Sequence, residues 1–302
     1  MRRLIFGAAF LLVAAAGLTA QAAATPAWLL YEQGKTWASQ GELGKALQFY
    51  KDAILAAGVM PEAEAAIGDI YREESEFELA KRHYERAYNL RNALAIPAEK
   101  YDILYRWAGL YEDQQRYWDM VQKLQLIVDD EPGRKNSLLP IQVNQNYVDK
   151  GLDHVLTLYR FDSLFATAAH SRLGWFYCRT GRYTEAIPHL LYAVILHVSE
   201  VDAFLKQKDI DASVTGLEGF FDDVLRDAEA RSWLESSSFV SDLYYLAVAS
   251  LESGHPLRAR AIWKVLASVK ETGKYADLSR RQLVKPFREP FLEQPYKLPG
   301  KP

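Results

Sequence analysis

"GKTWASQGELGKALQFYKDA" occupies Gly34–Ala53, and "GDIYREESEFELAKRHYERA" occupies Gly68–Ala87. Few residues are identical, yet small and aromatic residues fall in the same places. Gly34 and Gly68, Ala46 and Ala80, Tyr50 and Tyr84, and Ala53 and Ala87 are each 34 positions apart. In the first unit Trp28, Leu30, Tyr31, Gly34, Trp37 and Ala38 recur at helical spacing. Gly41 breaks the run, and Ala46, Leu47, Phe49, Tyr50, Ala53 and Ile54 resume the 3.6-residue period. The second unit repeats this with Ile67, Gly68, Tyr71, Ala80, Tyr84 and Ala87. Each unit therefore reads as helix, short turn, helix. Two antiparallel helices approach closely only where one presents Gly or Ala, and Tyr, Trp or Leu fills the space alongside. Neither helix buries its apolar stripe alone, so units must stack. Packing fixes the small–large spacing and leaves the exposed residues free to vary.

This arrangement resembles the tetratricopeptide repeat, a 34-residue helix–turn–helix unit. A third match, after a six-residue insertion around "NALAIPA", carries Leu104, Trp107, Ala108, Tyr111, Met120, Leu124 and Ile127 and ends at Pro132. Met120 stands there in place of the expected small residue. The fourth, "SRLGWFYCRTGRYTEAIPHLLYA", carries Leu173, Gly174, Tyr177, Gly181, Ala186, Leu190 and Ala193 and is the clearest match. The fifth carries Leu246, Ala247, Gly254, Ala259 and Trp263. Pro188 sits about one turn into its second helix, where missing amide donors are tolerated best, and Pro256 fits at the start of its own. The resemblance implies an all-α, right-handed α-solenoid of about five helix pairs, with two irregular insertions and a proline-rich C-terminal tail.

The expected organisation is a signal peptide over 1–24, repeats 1–3 over 25–132, a loop and extra helix over 133–165, and repeat 4 over 166–198. A helical insertion over 199–238, repeat 5 with a capping helix over 239–285, and a tail over 286–302 complete it. Residues 133–151 are polar and read as a long loop; helical spacing resumes at Leu152–Phe165. In the insertion, Phe204, Leu205, Leu217, Phe220, Phe221, Val224 and Leu225 would face inward, either as a packed pair or as a docking or dimerisation element. The tail holds five of the chain's twelve prolines, so it cannot be helical throughout. It reads as a strap over the repeats, a ligand for another protein, or a disordered end.

The N-terminal "MRRLIFGAAFLLVAAAGLTAQAAATPAW" pairs Arg2 and Arg3 with an apolar run and two A-x-A cleavage candidates, the pattern of a secretory signal. An uncleaved membrane anchor is the alternative. No later segment reads as apolar enough to span a membrane. Cys178 is the single cysteine, so no intramolecular disulfide can form. These features point to the bacterial periplasm or envelope. Net charge is −3, or −5 once Arg2 and Arg3 are removed, which gives no nucleic-acid surface.

No H-E-x-x-H, G-x-S-x-G, P-loop or G-x-G-x-x-G is present. His189 and His197 lie eight apart in a packing segment, and Cys178 reads as a structural, partly buried residue. No catalytic residue, cofactor or metal is expected. By resemblance, the first helices of successive repeats would line a concave groove. Tyr31, Lys35, Asp69, Arg72, Asp102, Tyr105, Glu112, Trp175, Arg179, Tyr244 and Val248 would face it. That mixture suits an extended peptide or a helix, with Tyr and Trp as anchors. Some family members grip a chaperone's terminal carboxylate with paired Lys and Asn. Lys35, Asp69 and Gly109 stand at those Asn positions here, so that clamp is absent. The expected role is a non-enzymatic scaffold or adaptor for envelope proteins, in a setting such as secretion, outer-membrane biogenesis or a flagellar structure. Homo-oligomerisation stays open. The alternative is a small-ligand or transport accessory protein with a pocket walled by the 199–238 insertion.

Overall fold

The structure is a computed structural model that describes residues 25–132, 138–210 and 215–288. The expectations for the leader and for the tail beyond residue 288 lie outside those residues. The described residues are all-helical, with fifteen α-helices and no strand. They comprise α1 (Ala27–Ser39), α2 (Leu43–Ala57), α3 (Pro61–Glu73), α4 (Phe77–Asn89), α5 (Glu99–Asp113), α6 (Tyr117–Asp129), α7 (Leu138–Lys150) and α8 (Leu152–Leu158). Then follow α9 (Thr167–Arg179), α10 (Tyr183–Gln207), α11 (Leu217–Arg226), α12 (Ala228–Ser236), α13 (Phe239–Glu252), α14 (Pro256–Ser268) and α15 (Lys274–Val284). Among them α1 packs on α2, α3 on α4, α5 on α6, α9 on α10 and α13 on α14.

These five pairs share one turn. Each connection is three residues long, and its middle residue is left-handed: Gly41 (φ 77°), Ser75 (62°), Gln115 (55°), Gly181 (75°) and Gly254 (85°). The next amide reaches back five residues, from Glu42 to Trp37, Glu76 to Tyr71, Arg116 to Tyr111, Arg182 to Tyr177 and His255 to Ser250. This is the Schellman closure, which satisfies carbonyls that the helix end would leave open. Three turns use Gly; Ser75 and Gln115 adopt the same conformation at a cost in strain.

The small–large contacts fall where the spacing predicts. A methyl on Gly34 would meet Tyr50 Cε1 at 2.5 Å, one on Gly68 would meet Tyr84 Cε1 at 2.7 Å, and one on Gly174 would meet Leu190 Cγ at 2.5 Å. Met120, at the position that Ala46 and Ala80 hold in the first two pairs, is buried at 1% exposure. The first pair's Ala46 and Tyr50 pack with α3 in a small cluster. The main core runs continuously from Ala80 to Leu266.

Three expectations need correction. Within the stretch 133–151 that reads as a long loop, Leu138–Lys150 is helix α7. Its buried side chains are Val143 and Tyr147, too few for a strong period, and Pro140 sits harmlessly in the first turn. Tyr147 is fully buried and its hydroxyl lies 2.6 Å from Ser250 Oγ on α13. Leu152–Phe165 is not one helix, because α8 stops at Leu158 and an extended run leads to a short 3-10 turn at Leu164–Ala166. Finally, α10 is long and apolar enough to cross a membrane by length and composition. Most of it is buried inside the fold, which is the behaviour of a core helix.

Residues 199–207 extend α10, so the insertion proper is α11 and α12. Asp227 separates these two and caps α12, its Oδ1 accepting from Glu229 N and Ala230 N. Leu205, Leu217, Phe220, Phe221 and Val224 are buried, and Phe204 and Leu225 pack partly buried against the same core. The insertion is thus part of the core on this face. Lys274–Val284 forms the helix expected after the fifth unit.

Candidate functional site

The first helices of the pairs are tied together by polar contacts. On α3, Asp69 accepts from Tyr84 Oη at 2.7 Å and from Arg106 Nη1 of α5 at 2.5 Å. Burial pushes the Asp69 carboxyl above its usual range, against the opposing pull of Arg106. Arg72 Nε donates to Asp113 Oδ2 at 2.5 Å, and Arg172 of α9 pairs with Glu112 of α5 at 2.7 Å. Half-exposed pairs of this kind contribute about 0–1 kcal/mol each, so they order the surface more than they hold the fold.

Tyr31 and Asp102 bound a small cavity of about 60 Å³ with Glu62, Glu99 and Arg106. Burial, reinforced by Glu62 and Asp102, raises the Glu99 carboxyl. Lys35 is exposed and paired with Glu32 at 2.8 Å. Tyr105 is a bracket: its hydroxyl donates to Phe165 O at 2.7 Å and accepts from Ala169 N at 3.0 Å. It thereby caps an early amide of α9, a helix with no side-chain cap of its own. Arg179 lies 5.6 Å from the Trp175 ring centroid. Tyr244 and Val248 are not groove residues; they are buried at 0% and 3% exposure. α15 covers Tyr244, with Tyr275 at 5.2 Å ring to ring and Gln282 Nε2 at 3.3 Å from its hydroxyl.

Glu112 and Trp175 belong to a larger cleft of about 390 Å³ between α5, α9, α13 and α15. Sequence reading missed its other side chains: Ser171, Arg172, Ser238, Ser241, Asp242, Tyr245, Lys274 and Tyr275. They come from segments up to 104 positions apart, and no local pattern marks them. Asp242 is the centre. Its Oδ2 accepts from Ser171 Oγ at 2.7 Å and Ser238 Oγ at 2.9 Å, and lies 3.3 Å from His197 Nε2.

Serine, histidine and aspartate meet here, but not as a nucleophilic triad. Ser238 Oγ and Asp242 Oδ2 both face His197 Nε2. His197 Nδ1, where a triad needs its carboxylate, is buried and has no hydrogen-bond partner among the described residues. The other buried histidines form a separate network. His170 bridges His189 Nδ1 at 3.0 Å and Glu131 Oε2 at 2.9 Å, and Ser163 donates to Glu131 Oε1 at 2.7 Å. His189 and His197 therefore serve different neighbours. Among the described residues, no group of three or more His, Cys, Asp or Glu side chains is arranged to hold a metal ion. Cys178 is buried, with Tyr245 O at 3.9 Å from its sulfur.

No protein-family model matches the chain. An uncharacterized protein of Treponema pallidum (strain Nichols) is 24% identical over 246 residues, which covers 78% of this chain and 64% of the relative. The match thus spans less than two thirds of that protein. An uncharacterized protein of Borreliella burgdorferi is 22% identical over 275 residues, covering 81% of this chain and 85% of its own length. This chain is therefore similar along most of its length to proteins of these two bacteria.

Proposed function

We propose that the five helix pairs are tetratricopeptide-type units stacked as a right-handed α-solenoid, and that the protein is a non-enzymatic scaffold. Five identical three-residue turns and the repeated Gly–Tyr and Gly–Leu contacts support this reading. In it, the chain is exported to the bacterial periplasm or held at the membrane by its N-terminal segment. There it binds a peptide or helix of an envelope protein, as part of assembling an envelope or flagellar machine. The observation that carries the reading is the cleft beside Trp175. It is open, polar at its base, walled by aromatic rings, and bounded by the first helices of three pairs together with α15.

The test is a crosslinking pull-down from envelope fractions with the unaltered chain and a Tyr31→Ala, Trp175→Ala, Tyr245→Ala variant that still folds. Clients lost only with the variant support the groove. Clients retained in full move the binding site elsewhere on the surface.

A second reading has its own observation. A cavity of about 660 Å³ lies between Asp153, the start of α11 and the α14 face bearing Arg260 and Lys264. Its place beside the insertion supports reading the protein as a small-ligand or transport accessory protein. Native mass spectrometry of protein purified from its source bacterium tests it: a retained small molecule favours this reading, and a ligand-free mass favours the scaffold.

A further inference from the structure

The base of the cleft is anionic and its walls are aromatic. Asp242 lines the cleft although its residue is only 3% exposed. One carboxylate oxygen, Oδ2, takes both serine hydroxyls. Among the described residues, no group donates to the other oxygen, Oδ1, and it is not among the oxygens sealed from solvent. Among the described residues, no lysine or arginine pairs with Asp242. Arg172 is committed to Glu112 at 2.7 Å. Lys274 is exposed at the rim, its ammonium 5.1 Å from the Tyr275 ring centroid.

A carboxylate held in such a place attracts a cation more strongly than one in water, because the local dielectric is low and folding has already removed most of its hydration. Trp175, Tyr245 and Tyr275 are each partly buried around the same space. A lysine or arginine head within about 6 Å of such rings gains further attraction from their faces. A volume of about 390 Å³ lies at the small end of ligand pockets. It admits one long side chain and excludes a folded element.

We propose that this cleft receives a lysine or arginine side chain of a partner polypeptide, with Asp242 as counter-ion and Trp175, Tyr245 and Tyr275 as walls. The inference rests on the peptide-binding reading and adds the residue type that anchors the peptide. Lys274 then acts as a competitor: its removal lowers the positive charge at the rim and favours the incoming cation.

The probe is a phage-displayed random dodecapeptide library, selected on the full-length chain. The expected result is enrichment of Lys or Arg at one position of the recovered peptides. Replacing that residue by norleucine, which keeps the chain and removes the charge, weakens binding by on the order of tenfold to a hundredfold. Asp242→Asn does the same; if that variant fails to fold, the norleucine peptide gives the answer on the unaltered protein. Lys274→Ala strengthens binding. A norleucine peptide that binds as well as its parent, or a loss of binding with Lys274→Ala, overturns the proposal and leaves the peptide groove standing. Recovery of no binding peptide overturns both.

Discussion

Tyr84 lays its ring on Gly68, so close that a methyl there would meet Cε1 at 2.7 Å, and its hydroxyl donates to the neighbouring Asp69 at 2.7 Å. The ring is wholly buried and tied at its far end, so it cannot swing aside. The same close ring contact joins Gly34 to Tyr50. Gly68→Ala gains about 1 kcal/mol of helix propensity and loses about 1–3 kcal/mol to overpacking. We expect a net loss. Gly44→Ala is the control: it sits in α2 with nothing within 4 Å of the added methyl, and should gain about 0.4–1 kcal/mol. Gly174→Leu should cost most, at least ~3 kcal/mol, because the added chain meets Leu190 Cγ and its backbone nitrogen. Denaturant melts followed by circular dichroism rank the three. Equal stability of Gly68→Ala and Gly44→Ala would contradict the packing account.

Gln115 occupies a left-handed turn position that three of the other four pairs give to Gly. A side chain there costs roughly 1–2 kcal/mol, partly offset by the extra unfolded-state freedom of Gly. Gln115→Gly should therefore stabilise by about 0.5–1 kcal/mol, and Gly181→Ala should destabilise by about 1 kcal/mol. Opposite signs in thermal melting are the expected outcome. Destabilisation by both would mean that the Gln115 side chain contributes more than its backbone strain costs.

Tyr105 reads in sequence as a groove anchor and acts in the structure as a brace between α5 and α9. Tyr105→Phe leaves Phe165 O without its donor and Ala169 N without its acceptor. We expect a loss of about 1–3 kcal/mol in unfolding free energy. The affinity of the folded variant for a selected peptide should not change. A binding defect without a stability defect would return Tyr105 to the groove.

Stability should fall in strong base. Burial pushes Tyr50 up to about 12 and raises Tyr84, Tyr105 and Tyr147 further. These phenols keep their protons in the folded chain after the unfolded chain has begun to lose them near pH 10. The folded state then binds more protons, so unfolding free energy decreases as pH rises above about 10. Each such tyrosine adds a slope of about 1.4 kcal/mol per pH unit until its folded form also ionises. Urea melts between pH 8 and pH 11.5, with tyrosinate absorbance recorded in parallel, check both the sign and the onset. A flat profile through pH 11 would contradict the burial of these hydroxyls.

The amino-acid pattern by itself determined the helix pairs, the small–large contacts at Gly34, Gly68 and Gly174, and the breaks at Gly41, Gly181 and Gly254. These depend on residues within one turn or one unit of each other, where period and side-chain size are sufficient. It did not reveal the left-handed turns at Ser75 and Gln115. There the three-residue connection between two packed helices imposes a conformation that the residues themselves disfavour. Helix α7 was also hidden, because few of its positions are buried and their partners, such as Ser250, lie a hundred positions away. Only the tertiary structure decided that Tyr244 and Val248 are core: both are buried, and α15 packs over Tyr244 through Tyr275 and Gln282. The structure alone also brought Ser171, His197, Ser238 and Asp242 together. They sit on α9, on α10 and at the start of α13, and the crossing of these helices, unlike their local period, is set by how whole helices pack.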